Sequence, residues 1–222
     1  MKKYAVIVAG GSGVRMGASM PKQFLLIHDK PILWYSLQVF LTAFADIEII
    51  LVLPPEYDET GRAIADSLHT ITPTRRIAGG ETRFQSVRNG LTLVEEPSMV
   101  FIHDAVRCLL SPSLIHLCFE EAQRFGSAVP AIACRDSVRT VGDTGNKPID
   151  RSQIRLLQTP QTFLSKLLLP AYKKDYADSF TDDASVVENS GHPIHLVEGE
   201  VNNIKITTPL DLLIAEKLLH LP

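Results

Sequence analysis

Tyr4-Ala5-Val6-Ile7-Val8-Ala9 runs directly into Gly10-Gly11-Ser12-Gly13-Val14-Arg15-Met16-Gly17, and this junction decides the fold. The apolar, β-favouring run closed by glycine describes a short strand buried on both faces. The glycines after it allow backbone N–H groups to approach and surround phosphate oxygens. Downstream, Pro31 to Phe44 places Ile32, Tyr35, Val39, Phe40 and Ala43 at helical spacing, with the proline in the first turn. Ile47 to Leu53 reads as the next buried strand. Glu56 to Leu68 and Glu81 to Val94 read as helices, with a short strand near Arg76 to Ala78 between them, and Met99 to His103 is again a strand.

Ser111 then caps a helix with Pro112 in its first turn and Gly126 at its end, and Ala128 to Ala133 follows as a strand. Strands are expected near Ile194 to Val197 and Ile204 to Ile206, and a last helix has Thr208 as its cap and Pro209 at its first position. This alternation implies right-handed βαβ crossovers and a Rossmann-like three-layer α/β sandwich with a mostly parallel sheet. Residues 135–151 break the rhythm. Ser137-Val138-Arg139-Thr140-Val141 alternates, Gly142-Asp143-Thr144-Gly145-Asn146 is turn chemistry, and the chain returns, as expected of a projecting β-hairpin arm. Such a hairpin is marginal alone, so it packs either on its own domain or, as favoured here, on another subunit. Without repeats or a linker, residues 1–222 read as a single domain.

The charge balance of 22 Lys and Arg against 25 Asp and Glu gives −3, so nothing global suggests a nucleic-acid or membrane partner. Positive charge is local: Lys2, Lys3, Arg15, Lys22 and Lys30 stand against Asp29 near the glycine-rich loop, which suits a polyanion. Cys108, Cys118 and Cys134 fit neither a disulfide framework nor a zinc site. The N-terminus has no signal-peptide plan and no apolar run approaches membrane-spanning length, so the cytoplasm is the expected compartment.

Two familiar phosphate loops fail at the junction. A Walker A loop ends in Gly-Lys-Ser/Thr, which Arg15-Met16-Gly17 does not supply. A dinucleotide fingerprint needs glycine where Met16 stands, and no obvious acidic residue closes the second strand. What remains is a glycine loop carrying two cations, Arg15 and Lys22. Backbone donors and charged side chains acting together suit nucleotidyl transfer, where charge gathers around the α-phosphorus.

The loop, with Pro21-Lys22-Gln23-Phe24 after it, resembles that of the sugar- and polyol-phosphate cytidylyltransferases. Later segments match one branch. They are Gly79-Gly80-Glu81-Thr82-Arg83-Phe84-Gln85-Ser86-Val87, His103-Asp104-Ala105-Val106-Arg107, Gln158-Thr159-Pro160-Gln161-Thr162-Phe163, Phe180-Thr181-Asp182-Asp183-Ala184-Ser185 and Asn203-Ile204-Lys205-Ile206-Thr207-Thr208-Pro209. In order and over nearly the whole chain, they resemble the 2-C-methyl-D-erythritol 4-phosphate cytidylyltransferase family of non-mevalonate isoprenoid synthesis.

The resemblance implies CMP transfer from CTP to the phosphorylated polyol. It implies that Arg15 and Lys22 stabilise the transition state, and that Arg151 and Lys205 hold the acceptor phosphate. It places Ala9, Gly10, Gly11, Ser12, Gly13, Gly80, Glu81, Ser86, Asp104 and Ala105 around CTP, and Asp104, Arg107, Ser137, Arg151, Thr181 and Lys205 around the acceptor. It also implies a homodimer through the arm, with Arg151 near the neighbouring subunit, and Mg²⁺ bound mainly through the CTP phosphates with no protein metal ligand. Where the family usually has proline, this chain has Cys108; a small, inert buried cysteine is expected there rather than a reactive thiol.

A phosphate monoester acceptor is already an anion at neutral pH, so no general base is needed, and His103 is expected to be structural. Asp182 and Asp183 are expected to start a helix rather than bind metal. Ribitol 5-phosphate cytidylyltransferase, a non-catalytic binding protein of the same fold and a nicotinamide-binding Rossmann protein remain as competing readings.

Overall fold

The computed structural model describes residues 1–10, 20–68 and 74–219 of the 222-residue chain. In chain order its elements are strand β1 (Lys2–Val8), the short pair β2 (Leu26–Ile27) and β3 (Lys30–Pro31), helix α1 (Ile32–Ala43), β4 (Glu48–Leu53), α2 (Asp58–Asp66), β5 (Arg75–Ala78), α3 (Arg83–Leu91) and β6 (Ser98–Asp104). Then come α4 (Pro112–Phe125), β7 (Ser127–Ala133), β8 (Val138–Gly142), β9 (Gly145–Ile149), β10 (Arg155–Leu157), β11 (Gln161–Leu164), α5 (Ser165–Ala171), α6 (Asp183–Asn189), β12 (Leu196–Glu198) and α7 (Pro209–Leu218).

The main sheet runs β10-β7-β11-β6-β1-β4-β5, with β12 beside β7. β1 pairs in parallel with β4 and β6, and β4 with β5. β11 lies antiparallel between β6 and β7. The result is an α/β sandwich with a mostly parallel core sheet.

Alternation along β1 builds the layers. Ala5 and Ile7 face a cluster with Leu33, Leu37 and Phe40 of α1 and Leu114, Ile115 and Cys118 of α4. Tyr4 and Val6 face the opposite cluster, with Phe84 and Val87 of α3, Leu168 of α5 and Val187 of α6. Each fully buried Ile or Leu here contributes roughly 1.5–3 kcal/mol relative to exposure.

Helix ends follow their local chemistry. The Ser111 side chain accepts from the Leu114 N–H, and Gly126, at φ 90°, ends α4 in a left-handed conformation that suits glycine. Thr82 and Gln85 form a capping box on α3, as Thr208 and Asp211 do on α7. Three expectations are corrected in detail. Pro31 caps α1 from outside rather than lying in its first turn. The segment from Glu56 begins as a 3₁₀ turn, so α2 starts only at Asp58. Ile204 to Ile206 is not a strand: the Ile206 N–H donates to the Val106 carbonyl, and its side chain joins Ile27, Ile32 and Cys108 in a small satellite core.

Among the described residues β8 and β9 pair only with each other, from Val138 opposite Ile149 to Gly142 opposite Gly145, and Val141 on the hairpin is 85% exposed. Among the described residues no helix is long and apolar enough to cross a membrane.

Candidate active site

The parallel strands put their C-terminal ends together, and the chain reverses its direction of sheet growth between β1 and β6. In α/β sheets this switch point is where ligands settle. Here the Ala9 N–H donates to the Val52 carbonyl, the Gly79 N–H to Leu53 and the Ala105 N–H to Val8. These bonds draw the loops after β1, β4, β5 and β6 into one rim.

Within that rim lies a cavity of about 380 Å³ lined by Val8, Ala9, Gly10, Lys22, Gln23, Gly80, Glu81, Thr82, Arg83, Ser86, Asp104, Val106 and Lys205. An adjoining space of about 330 Å³, bordered by Gly10, Pro54, Pro55, Gly79, Gly80 and Glu81, extends it. Buried Gln23 donates from Nε2 to the Ala9 carbonyl at 2.6 Å, tying the Lys22 segment to the end of β1. Ser86 Oγ accepts from the Gly80 N–H at 3.0 Å and donates to the Thr82 carbonyl, shaping the loop before α3. A Cβ at Gly80 would stand 2.4 Å from that of Gln85, so this close turn requires glycine.

The charged centre is Asp104. One carboxylate oxygen accepts from Arg83 Nε at 3.1 Å and the other from Lys205 Nζ at 2.8 Å. Burial acts to raise the carboxyl's pKa, but Arg83 and then Lys205 outweigh it and hold the group well below the usual carboxylate range. Arg83 also forks onto Asp183, from Nη1 at 3.0 Å and Nη2 at 2.8 Å, and Tyr172 donates its hydroxyl to the same carboxylate at 2.5 Å.

Behind this centre, His103 is fully buried, with Nδ1 3.0 Å from Thr159 Oγ1. Burial presses its pKa down to about 3, which keeps the ring neutral at physiological pH. Cys108 is 4% exposed and burial pushes its thiol up to about 12, as expected of an inert cysteine. Asp182 caps α6, its side chain accepting from the Ser185 N–H, while Asp183 is completely buried at the first helical position. Among the described residues no group of three or more His, Cys, Asp or Glu could hold a metal ion.

Of the residues singled out in the sequence, Ala9, Gly10, Lys22, Gly80, Glu81, Ser86, Asp104 and Lys205 line the cavity. Gly11, Ser12, Gly13 and Arg15 lie outside the described residues. Ala105 is buried beneath the rim, its carbonyl accepting from Ser36 Oγ. Arg107 does not line the cavity; its guanidinium donates to the Asn203 carbonyl at 2.7 Å. Thr181, just ahead of α6, is exposed, with its N–H donating to Ser185 Oγ. Ser137 and Arg151 are exposed at the arm, the latter donating to the Arg135 carbonyl at 2.8 Å.

Arg83 is the central residue that sequence reasoning left without a role. It was visible inside the Gly79–Val87 segment, but its partners are 21 and 100 positions away.

Glycine-walled space at a switch point, with cations facing it from both sides of an ion-paired carboxylate, belongs to the nucleotidyltransferase class of α/β enzymes. The profile of the family described as IspD, 2-C-methyl-D-erythritol 4-phosphate cytidylyltransferase, matches residues 4–221, and the chain belongs to this family. It is 46% identical over 220 residues to the 2-C-methyl-D-erythritol 4-phosphate cytidylyltransferase of Bacteroides fragilis, covering 99% of this chain and 100% of the relative. It is 43% identical over 219 residues to that of Bacteroides thetaiotaomicron, covering 99% and 100%. Among solved structures, the Thermus thermophilus enzyme of the same name superposes with TM-score 0.79 at 32% identity, covering 100% of both chains. The 4-diphosphocytidyl-2C-methyl-D-erythritol synthase of Anaerococcus prevotii superposes with TM-score 0.85 at 26% identity, covering 99% of each.

Proposed function

We infer that the protein transfers CMP from CTP to 2-C-methyl-D-erythritol 4-phosphate, releasing pyrophosphate. The observation that carries this is the full-length family match together with Lys22, Asp104 and Lys205 on one cavity. CTP would lie along Ala9, Gly10, Gly80, Glu81 and Ser86, with its triphosphate towards Lys22 and the loop of Gly11, Ser12, Gly13 and Arg15. The acceptor phosphate would approach from the side of Lys205.

In the transfer, an acceptor phosphate oxygen attacks the α-phosphorus of CTP. The new P–O bond forms as the bond from that phosphorus to the bridging oxygen breaks, and pyrophosphate departs with the electron pair. The work for the protein is to bring two polyanions together and neutralise the charge that gathers at the α-phosphate. Lys22 and Arg15 serve the nucleotide side, and Lys205 orients the nucleophile. Asp104, held by Arg83 and Lys205, keeps the lysine aimed without taking a proton.

Magnesium fits this donor set as a passenger of the triphosphate. The Asp104 carboxylate already accepts from two cations, and Mg²⁺ in nucleotide sites draws its ligands largely from phosphate and water. When bound, it supplies further charge neutralisation to the leaving pyrophosphate.

The reading includes a homodimer through the β8–β9 arm, in which Arg151 and Ser137 reach the acceptor site of the neighbouring subunit while Thr181 and Arg107 border it from their own chain. A self-paired two-stranded ribbon with an exposed valine supports this. A cytoplasmic location, where CTP is made and used, belongs to the same reading. Pyrophosphate release from CTP and Mg²⁺ with methylerythritol 4-phosphate, against ribitol 5-phosphate in parallel, tests the assignment. Release with ribitol phosphate alone would keep the chemistry and replace the acceptor.

A further inference from the structure

We propose that Asp183 is a positioning residue for this transfer, acting through Arg83 to fix Asp104 and thereby Lys205. The proposal rests on the function inferred above.

Four charged groups of alternating sign follow one another: Lys205, Asp104, Arg83 and Asp183. Helix formation accounts for an acidic group in the first turn of α6 but not for its complete burial, and it does not account for Arg83 at all. A cation in the first turn of α3 stands at the wrong end of the helix dipole. The N-terminus of α3 is already satisfied by the Thr82–Gln85 box, and that of α6 by the Asp182–Ser185 box. Asp183 is nonetheless completely buried, accepting from both terminal nitrogens of Arg83 and from the Tyr172 hydroxyl. A buried carboxylate is costly unless fully partnered, so such a group needs a reason to be there.

The reason lies in what Arg83 does with its remaining edge. With both Nη atoms fixed on Asp183, its Nε is aimed at Asp104 Oδ1, and the other oxygen of Asp104 is left for Lys205. A guanidinium can fork in this way where a lysine cannot. The stacked rings of Phe84 and Tyr172, 4.8 Å apart, tie α3 to the end of α5, whose Tyr172 hydroxyl bonds Asp183. The tie therefore connects the Gly80–Glu81 loop of the nucleotide side, just ahead of α3, with the Thr181 segment just ahead of α6. The Gly80–Glu81 loop is held separately by the Gly80 N–H bond to Ser86 Oγ and the Thr82–Gln85 box, so the tie acts chiefly on the aim of Asp104 and Lys205.

Asp183→Asn keeps the shape and removes the charge. With folded protein at saturating CTP, kcat should fall and the KM for acceptor rise, together lowering kcat/KM for acceptor roughly 10- to 100-fold, while the KM for CTP stays within about twofold. Tyr172→Phe, which leaves the ion pair in place, should show the same pattern at roughly two- to tenfold and stands in if Asp183→Asn fails to fold. Arg83→Lys should not restore wild-type kcat, since it cannot serve both carboxylates.

Melting curves recorded alongside give the folded fraction. Wild-type acceptor kinetics per folded molecule in the variants, or an equal rise in the KM for CTP, would overturn the positioning role. Wild-type enzyme assayed beside them separates this from the functional reading: if it uses ribitol 5-phosphate, the same comparison is made with that acceptor. If folded wild-type enzyme uses neither acceptor, both inferences fall.

Discussion

Removing the Lys205 ammonium is the sharpest single perturbation of the charged centre. In Lys205→Ala, the Asp104 carboxylate loses its 2.8 Å partner but keeps Arg83 at 3.1 Å, so it remains ionised. Unit charges at 2.8 Å attract by about 6 kcal/mol at an effective dielectric near 20. The Lys205 side chain is 43% exposed, however, and solvent screening brings such pairs down to about 1 kcal/mol. Stability should therefore fall by about that much, a drop in Tm of roughly 2–4 °C for a chain of this size.

Catalysis should suffer more. A charge-assisted hydrogen bond to the acceptor phosphate is worth about 1.5–3 kcal/mol, which converts to roughly 10- to 150-fold in kcat/KM for acceptor. Pyrophosphate release measured against acceptor concentration at saturating CTP reads this directly, with the KM for CTP as the internal control. A kcat/KM for acceptor within about twofold of wild type would refute the placement of Lys205 on the acceptor.

Lys22→Ala should lower kcat by roughly a hundred- to a thousandfold, and Arg15→Ala should do the same; near-normal turnover per folded molecule would remove both from the transition state. His103 binds a proton less readily folded than unfolded, so its contribution to stability is full above the ordinary histidine pKa near 6.5 and is lost as pH falls towards about 3. Between pH 6.5 and 4.5 this amounts to roughly 2 kcal/mol, which urea melts of His103→Gln against wild type should reveal as a shallower pH dependence in the variant. In native protein a thiol reagent should label half-buried Cys134 quickly and leave Cys108 and Cys118 untouched, since burial pushes both thiols up to about 12; rapid labelling of two or more would contradict the packing. If the arm completes the neighbouring site, mixing inactive Lys22→Ala and Arg151→Ala chains should regain up to about a quarter of wild-type activity, because one site of each mixed dimer is intact. No regain on mixing would count against a shared site.

The parts of this fold that could be read in the sequence are those whose signals are local. The β1 run, the glycines behind it, and the Ser111 and Gly126 boundaries of α4 each carry their cause within a few residues. Gln161–Leu164 stands out in the sequence only as part of a motif, because it becomes strand β11 through pairing with β6, some sixty positions earlier, and then with β7. Ile204-Lys205-Ile206 differs in the opposite sense: a strand is expected there, but the segment has no ladder and Ile206 is buried in the satellite core instead.

The site divides in the same way. Lys22, Gly80, Ser86 and Asp104 sit where strand ends and their loops must meet, so motif order placed them. Arg107 shares a motif with Asp104, yet the chain turns between them, where the Arg107 N–H donates to the Asp104 carbonyl, and its side chain is directed to Asn203. The Arg83–Asp183 tie was hidden because nothing local marks two residues a hundred positions apart as partners.

The most direct test of the central claim is ³¹P NMR of a reaction containing the protein, CTP, Mg²⁺ and methylerythritol 4-phosphate. CMP transfer predicts loss of the acceptor monoester signal, with a coupled diphosphodiester pair and free pyrophosphate appearing in equal amounts. An unchanged monoester, whether CTP stays intact or is merely hydrolysed to CMP and pyrophosphate, would contradict it.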